Sequence, residues 1–220
     1  MNEFEEKDIN ETPEDLVDSE EVLDEVSENS PKINYKKEIF EWIQAIVIAF
    51  VVAFFLKNYV LTLAKVDGQS MMPTLEHNDR LYVNKVAYTP KKGDVVIFEP
   101  ASAPGKPYIK RVIATEGDTV YINFDTGEVF VNDELLDEPY INESTHRSDS
   151  YIDFLSMTGN YSKDNPIKIE KGYFWAMGDN RNNSRDSRAI GPVPVDELIG
   201  HAVFRFWPLD NMGTVDFDRE

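Results

Sequence analysis

Residues 108–131 read YIKRVIATEGDTVYINFDTGEVFV, and this stretch decides the fold. Tyr108–Ala114, Thr119–Asn123 and Glu128–Val131 are rich in β-branched and aromatic residues, the composition of strands. Asp125-Thr126-Gly127, between the last two, is a hairpin-turn signal. Working outward, Arg80–Val86 and Asp94–Phe98 repeat the strand composition upstream, and Tyr173–Met177 and His201–Trp207 repeat it downstream. From Ala64 onward no amphipathic run is long enough for a major helix. Residues 64–220 are therefore predicted to be a mostly antiparallel β domain, a sandwich or folded barrel. Residues 132–170 are polar and turn-rich, and read as an insertion or cap with poor prospects of chemistry. There is no internal repeat.

Upstream of that domain the composition changes twice. Ile39–Leu63 contains only Glu41, Gln44, Lys57 and Asn58 as strongly polar members, and Ala45–Leu56 is an unbroken apolar run. A helix of about 20 residues spans the hydrocarbon of a bilayer, so 39–63 is predicted to be a transmembrane anchor. Trp42 and Tyr59 lie near its opposite ends, where amphipathic rings suit the headgroup zone. A buried core helix is the competing reading, because the uninterrupted run is only a dozen residues long. Lys32, Lys36 and Lys37 precede the segment while Lys57 and Lys65 follow it, which favours a cytoplasmic N-terminus and an outer face for the rest. Residues 1–30 hold 13 acidic side chains and one lysine, so 1–38 reads as a disordered acidic cytoplasmic tail. A docking helix for a basic partner is the alternative.

The whole-chain charge of -19 argues against nucleic-acid binding, which needs clustered Lys and Arg. The lack of cysteine excludes disulfides, thiol catalysis and Cys-based zinc sites. His77, His146 and His201 lie in unrelated contexts without metal-ligand spacing, and each reads as a surface or packing residue. A hydrolytic serine in this chain would then need another base, and a lysine can serve if burial disfavours its ammonium form. Ser70 lies in VDGQSMMPTL (66–75), where Gly68 permits a tight turn and Pro73 stiffens the other flank. Taken alone, that is an ordinary turn serine. In a strand, Lys110 shares a face with Tyr108 and Val112 while Arg111 points away, a setting that could desolvate the amine. An edge-strand lysine that discourages aggregation is the plainer reading. The loop MGDNRNNSRDSR (177–188) is equally compatible with a bracing ion pair between Asp186 and Arg188 or a solvated polar loop.

Together these motifs, in this order and spacing, resemble the bacterial type I signal peptidases, in a Gram-positive-like form with a single anchor. GQSMMPTL (68–75), KKGDVVIF (91–98), YIKRVIATEGD (108–118), GDNRNNSRDSR (178–188) and FRFWPL (204–209) carry the likeness, from about residue 39 to the C-terminus. The acidic tail has no counterpart in it. The resemblance implies an antiparallel β-sheet catalytic domain behind one transmembrane helix, with no cofactor and no metal. It implies Ser70 as nucleophile, Lys110 as general base and Ser184 as the hydroxyl that orients the lysine. Arg111 with Asp179, and Asp186 with Arg188, match residues that brace the site. Val66, Met71, Tyr108 and Ile109 match the apolar pockets for small side chains at substrate positions -1 and -3. Some members place a serine oxyanion donor where this chain has Gly68, so here the oxyanion would rest on backbone N–H groups, including that of Ser70.

The activity so implied is removal of signal peptides from exported preproteins through an acyl-enzyme. The implied partners are preprotein signal peptides, the lipid bilayer and the secretion translocon, with the catalytic domain on the outer face of the cell membrane. Phe204, Phe206 and Trp207 could form an apolar patch resting on lipid, or could equally be β-core. Two other functions share the chemistry or the fold. A self-cleaving repressor would need a DNA-binding helix-turn-helix in place of the tail and anchor. A silent membrane-tethered binding protein could dispense with Ser70, Lys110 or Ser184.

Overall fold

The computed structural model describes residues 35–55, 61–86, 88–146, 153–159 and 161–215. Most of the acidic tail, residues 56–60 of the expected anchor and part of the expected insertion (147–152 and 160) lie outside the described residues. The chain divides into two units, Met1–Phe50 and Val51–Glu220.

The described part of the first unit is helical, within α1 (Tyr35–Phe55). Tyr35–Glu38, assigned to the tail from sequence, already belong to this helix. Its described side chains are exposed, including Phe40, Trp42, Ile46 and Phe50. Among the described residues no helix is long and apolar enough to cross a membrane. Lys36, Lys37, Glu38, Glu41 and Gln44 occupy the first half of α1, and the apolar residues follow. The described helix ends at Phe55, and residues 56–60 of the expected anchor lie outside the described residues. The C-terminal boundary of the expected anchor is corrected. Leu61–Leu63 fall in strand β1 (Leu61–Lys65), which pairs antiparallel with β2 (Arg80–Asn84). The alternation in Leu-Thr-Leu-Ala-Lys suits an edge strand better than a lipid-facing helix.

The second unit holds the expected antiparallel β domain. Its remaining strands are β3 (Val95–Phe98), β4 (Tyr108–Thr115), β5 (Thr119–Asn123), β6 (Glu128–Val131), β7 (Glu134–Leu135), β8 (Ile167–Lys168), β9 (Tyr173–Met177), β10 (Val193–Pro194), β11 (Leu198–Trp207) and β12 (Gly213–Thr214). Two short helices, α2 (Asp153–Met157) and α3 (Ser187–Ile190), lie in the same unit. The larger sheet runs β1-β2-β11-β3-β4-β9-β10, with β12 on β11, and the smaller runs β7-β6-β5-β8. The 125–127 turn makes the β5–β6 hairpin, in which Val120 faces Val131 and Asn123 faces Glu128. Part of the expected insertion is therefore sheet: β7 and β8 flank that hairpin.

Strand β4 links the two sheets and two interiors. Ile113 and Ala114 at its far end pack with Val120, Ile122, Val129, Trp175 and Met177 between the sheets. Beneath the Ser70 turn, Val66, Met71 and Leu75 pack on Leu81, Val83, Val95 and Ile97. This second apolar floor fixes the turn from below, leaving Ser70 half-buried at its rim.

Candidate active site

The Ser70 turn is a tight loop closed by its own backbone. Met72 N–H donates to the Gln69 carbonyl at 3.2 Å, and Leu75 N–H to the Met71 carbonyl at 2.9 Å. Gly68 enters the turn at φ +98°, a left-handed conformation that any side chain would strain. Its N–H donates to His77 Nδ1 at 3.2 Å, and that ring lies 3.4 Å from Asp67 Oδ1. His77, read from sequence as a surface residue, thus holds the approach to Ser70. The Ser70 N–H has no acceptor among the described residues.

Lys110 is not on an edge strand, since β4 lies between β3 and β9. It pairs with Val96 on β3, while the β9 ladder begins one residue later at Arg111 and Met177. The chain leaving β9 is therefore released at the level of Lys110 and turns across it as the 178–188 loop. The lysine is 4% exposed. Its Nζ lies 2.8 Å from Ser70 Oγ, donates to the Ile109 carbonyl at 2.8 Å, and sits 5.3 Å from the Tyr108 ring centroid. Burial pushes its pKa from the ordinary 10.5 down to about 8. The Asp186 and Asp179 carboxylates oppose that shift, and the Arg188 guanidinium reinforces it.

The loop is built around two buried bidentate ion pairs. Arg111 donates through Nε and Nη2 to the Asp179 carboxylate at 2.9 and 2.7 Å, and Arg188 holds Asp186 at 2.8 Å through each nitrogen. Burial alone would raise the Asp186 carboxyl, but Arg188, the Gly178 N–H and the Ser184 hydroxyl hold it below the usual carboxylate range. Asp186 also caps α3 by accepting from the Arg188 N–H. Thr74 Oγ1 donates to Asp179 at 2.5 Å, which ties the first pair to the Ser70 turn.

Ser184 is buried beside these groups, but its hydroxyl donates to Asp186 Oδ2 at 2.7 Å. Among the described residues, the polar partners of Lys110 Nζ are Ser70 and Ile109. Val66, Met71, Tyr108 and Ile109 all line a cavity of about 550 Å³ that also reaches Ser70 and Lys110. Val66 and Met71 are otherwise core residues and offer it only an edge. Sequence reasoning missed Gly178 and Asn180. Asn180 N–H donates to the Ser70 carbonyl at 3.1 Å, and its side-chain amide to the Gln69 carbonyl at 3.1 Å. A methyl group on Gly178 would overlap both Ser184 Oγ and the Ser70 carbonyl oxygen. The Gly-Asp-Asn order itself was the available signal.

Of the remaining expectations, His146 and His201 do not join the site. His146 N–H donates to Asn182 Oδ1, and His201 stacks on Tyr88 with centroids 4.6 Å apart. Among the described residues no cluster of His, Asp and Glu could hold a metal ion. Phe204 and Phe206 are half-buried, and Trp207 is 46% exposed. They share the outer side of the larger sheet with exposed Leu63 and Tyr82, and the Tyr82 and Phe206 rings lie 4.6 Å apart.

The arrangement is a serine hydroxyl against a buried amine of lowered pKa, on the wall of an apolar groove. A hydroxyl so placed can be activated for attack on a carbonyl. Comparison with known proteins identifies the family. The family described as "Signal peptidase, peptidase S26" matches residues 39–207. Signal peptidase IB of Staphylococcus aureus (strain COL) is 40% identical over 179 residues, covering 79% of this chain and 92% of that protein. Signal peptidase I P of Bacillus subtilis subsp. natto is 36% identical over 181 residues, covering 80% and 94%. A crystal structure of a signal peptidase I from Enterococcus faecalis V583 is 24% identical, with a TM-score of 0.38, covering 53% of this chain and 98% of that one. On the family match and the 40% identity over 79% of its length, the chain belongs to the type I signal peptidases of the peptidase S26 family.

Proposed function

We propose that this chain cleaves signal peptides from exported preproteins with Ser70 as nucleophile and Lys110 as general base. One observation carries the reading: a lysine amine that is buried, has a pKa near 8 and lies 2.8 Å from a serine hydroxyl in an apolar groove. Neutral Lys110 takes the Ser70 proton as Oγ bonds to the scissile carbonyl carbon. The oxyanion is met by backbone N–H groups, that of Ser70 among them. The C–N bond then breaks, and the lysine ammonium gives its proton to the leaving amine of the mature chain. Water, deprotonated by Lys110, attacks the acyl-enzyme and releases the signal peptide with Ser70 restored.

Val66, Met71, Tyr108 and Ile109 give the groove its preference for small residues at -1 and -3. Ser184 acts on Lys110 through Asp186, whose charge keeps the lysine from falling still lower in pKa. The protein works at the cell membrane as a single-pass protein, with the acidic tail cytoplasmic and residues 64–220 outside. Support comes from the exposed apolar half of α1 and from the outer face carrying Leu63, Tyr82 and Trp207. Its partners are then lipid, preproteins and the secretion translocon. The test uses full-length protein in detergent micelles with a preprotein bearing Ala at -1 and -3. Wild type should process it and Ser70→Ala and Lys110→Ala should not. Processing by either variant at the wild-type rate refutes the assignment.

A further inference from the structure

We infer that Glu138 and Tyr140, on the connection after β7, are positioning residues for the Ser70–Lys110 pair, acting through Arg181 and Arg111. The inference rests on the reading of that pair given above. Neither residue lines the groove, and both come from the stretch whose sequence promised no chemistry. Two chains of contacts lead from them to the nucleophile. In the first, the Glu138 carboxylate grips the fully buried Arg181 guanidinium with both oxygens, one bond being 2.9 Å. Arg181 also donates to Thr145 Oγ1 at 3.2 Å and, through Nε, to the Gly178 carbonyl at 3.1 Å. Gly178 is the residue wedged against Ser184 Oγ and the Ser70 carbonyl.

In the second chain, the Tyr140 ring lies 4.2 Å from the Arg111 guanidinium carbon and 5.9 Å from that of Arg181. Arg111 clamps Asp179, which accepts from Thr74 at the end of the Ser70 turn. The Tyr140 hydroxyl donates to Glu138 Oε1 at 3.2 Å, joining the two chains at their origin. Burial pushes the Tyr140 hydroxyl above its ordinary pKa, with Glu138 adding to the effect, so it stays neutral throughout the working pH range. A cation held over an aromatic face is fixed in position as well as stabilised. The 178–180 segment and the 70–75 turn are thereby gripped by side chains that do not line the groove. An ångström of slack between reacting groups costs about 100-fold in rate, so release of this grip reads out at Ser70 and Lys110.

The experiment measures kcat, KM and the pH profile for full-length Tyr140→Leu, Tyr140→Phe and Glu138→Gln on a preprotein in micelles, with Ser70→Ala alongside. Tyr140→Leu should lower kcat at least tenfold and leave KM within twofold. The midpoint of the acid limb should stay in place, because neither group touches Lys110 Nζ. Tyr140→Phe, which keeps the ring over Arg111, should retain kcat within twofold. Glu138→Gln keeps the shape of the side chain and should lower kcat several-fold at constant KM. It decides the matter should Tyr140→Leu not fold. Wild-type kcat in Tyr140→Leu or in Glu138→Gln overturns the inference. So does a loss in Tyr140→Phe as large as that in Tyr140→Leu, or a loss that merely follows a shifted acid limb. If Ser70→Ala is inactive and Tyr140→Leu is fully active, only this inference falls. An active Ser70→Ala removes the reading beneath it.

Discussion

The two ends of β4 live in opposite environments. At one end, Lys110 and Arg111 enter an interior that also holds Asp179, Arg181, Asp186 and Arg188, all nearly without solvent contact. At the other, Ile113 and Ala114 enter an interior of Val, Ile, Trp and Met side chains. The apolar end needs only volume and shape, and many combinations of side chains supply those. The charged end is different in kind. Each guanidinium there is matched to a particular carboxylate, and removing one partner leaves an uncompensated buried charge. What the charged interior supplies is a fixed electrostatic setting for one amine, with burial and Arg188 lowering its pKa and two carboxylates limiting the fall.

The sharpest way to break this contrast is Asp186→Ala. Arg188 would stay buried without its carboxylate, and Ser184 and the Gly178 N–H would lose their acceptor. A loss of roughly 3–5 kcal/mol is expected in urea unfolding. A loss below about 1 kcal/mol would make the two ends of β4 equivalent after all.

Next in size is the response of activity to pH. If Lys110 must be neutral, kcat/KM rises with pH, is half-maximal near pH 8, and gains about tenfold between pH 7 and 9. A flat profile from pH 6 to 10 would remove the amine from the reaction. The same lowered pKa makes the Lys110 contribution to stability increase between about pH 8 and 10.5. In that window the unfolded chain still holds the proton that the folded one has lost. The smallest effect belongs to the apolar end. Ile113→Val should cost about 1 kcal/mol in the same urea titration and leave kcat unchanged. A drop in kcat there would mean that the apolar end, too, sets the geometry of the site.

How much of this was legible in the sequence differs between the same regions. The β5–β6 hairpin could be read residue by residue, because alternation and the Asp125-Thr126-Gly127 turn are local signals. Ser70 and Lys110 could not be chosen from their own neighbourhoods, and only the order of five motifs paired them. Strand β1 was absorbed into the expected anchor because Leu61 and Leu63 prolong an apolar stretch. Its pairing with β2 depends on residues nearly twenty positions away. The roles of Glu138, Tyr140 and His77 were illegible for a related reason. A carboxylate on one connection and a guanidinium 43 residues later carry no local mark of their contact. Ser184 shows a finer limit: its position in a motif is readable, but the direction of its hydroxyl toward Asp186 is set by packing.

Gly178 bears on how this loop can be inherited. Because the Ser70 carbonyl and the Ser184 hydroxyl both close on the space a side chain would fill, the hydrogen at that α-carbon works as a spacer of fixed thickness. Asn183, exposed on the outer side of the same loop, has no such duty and is open to drift. A lineage can therefore vary the rim of the loop one residue at a time. At position 178 even the smallest side chain would have to displace Ser184 and the Ser70 carbonyl, so change there has no gradual route.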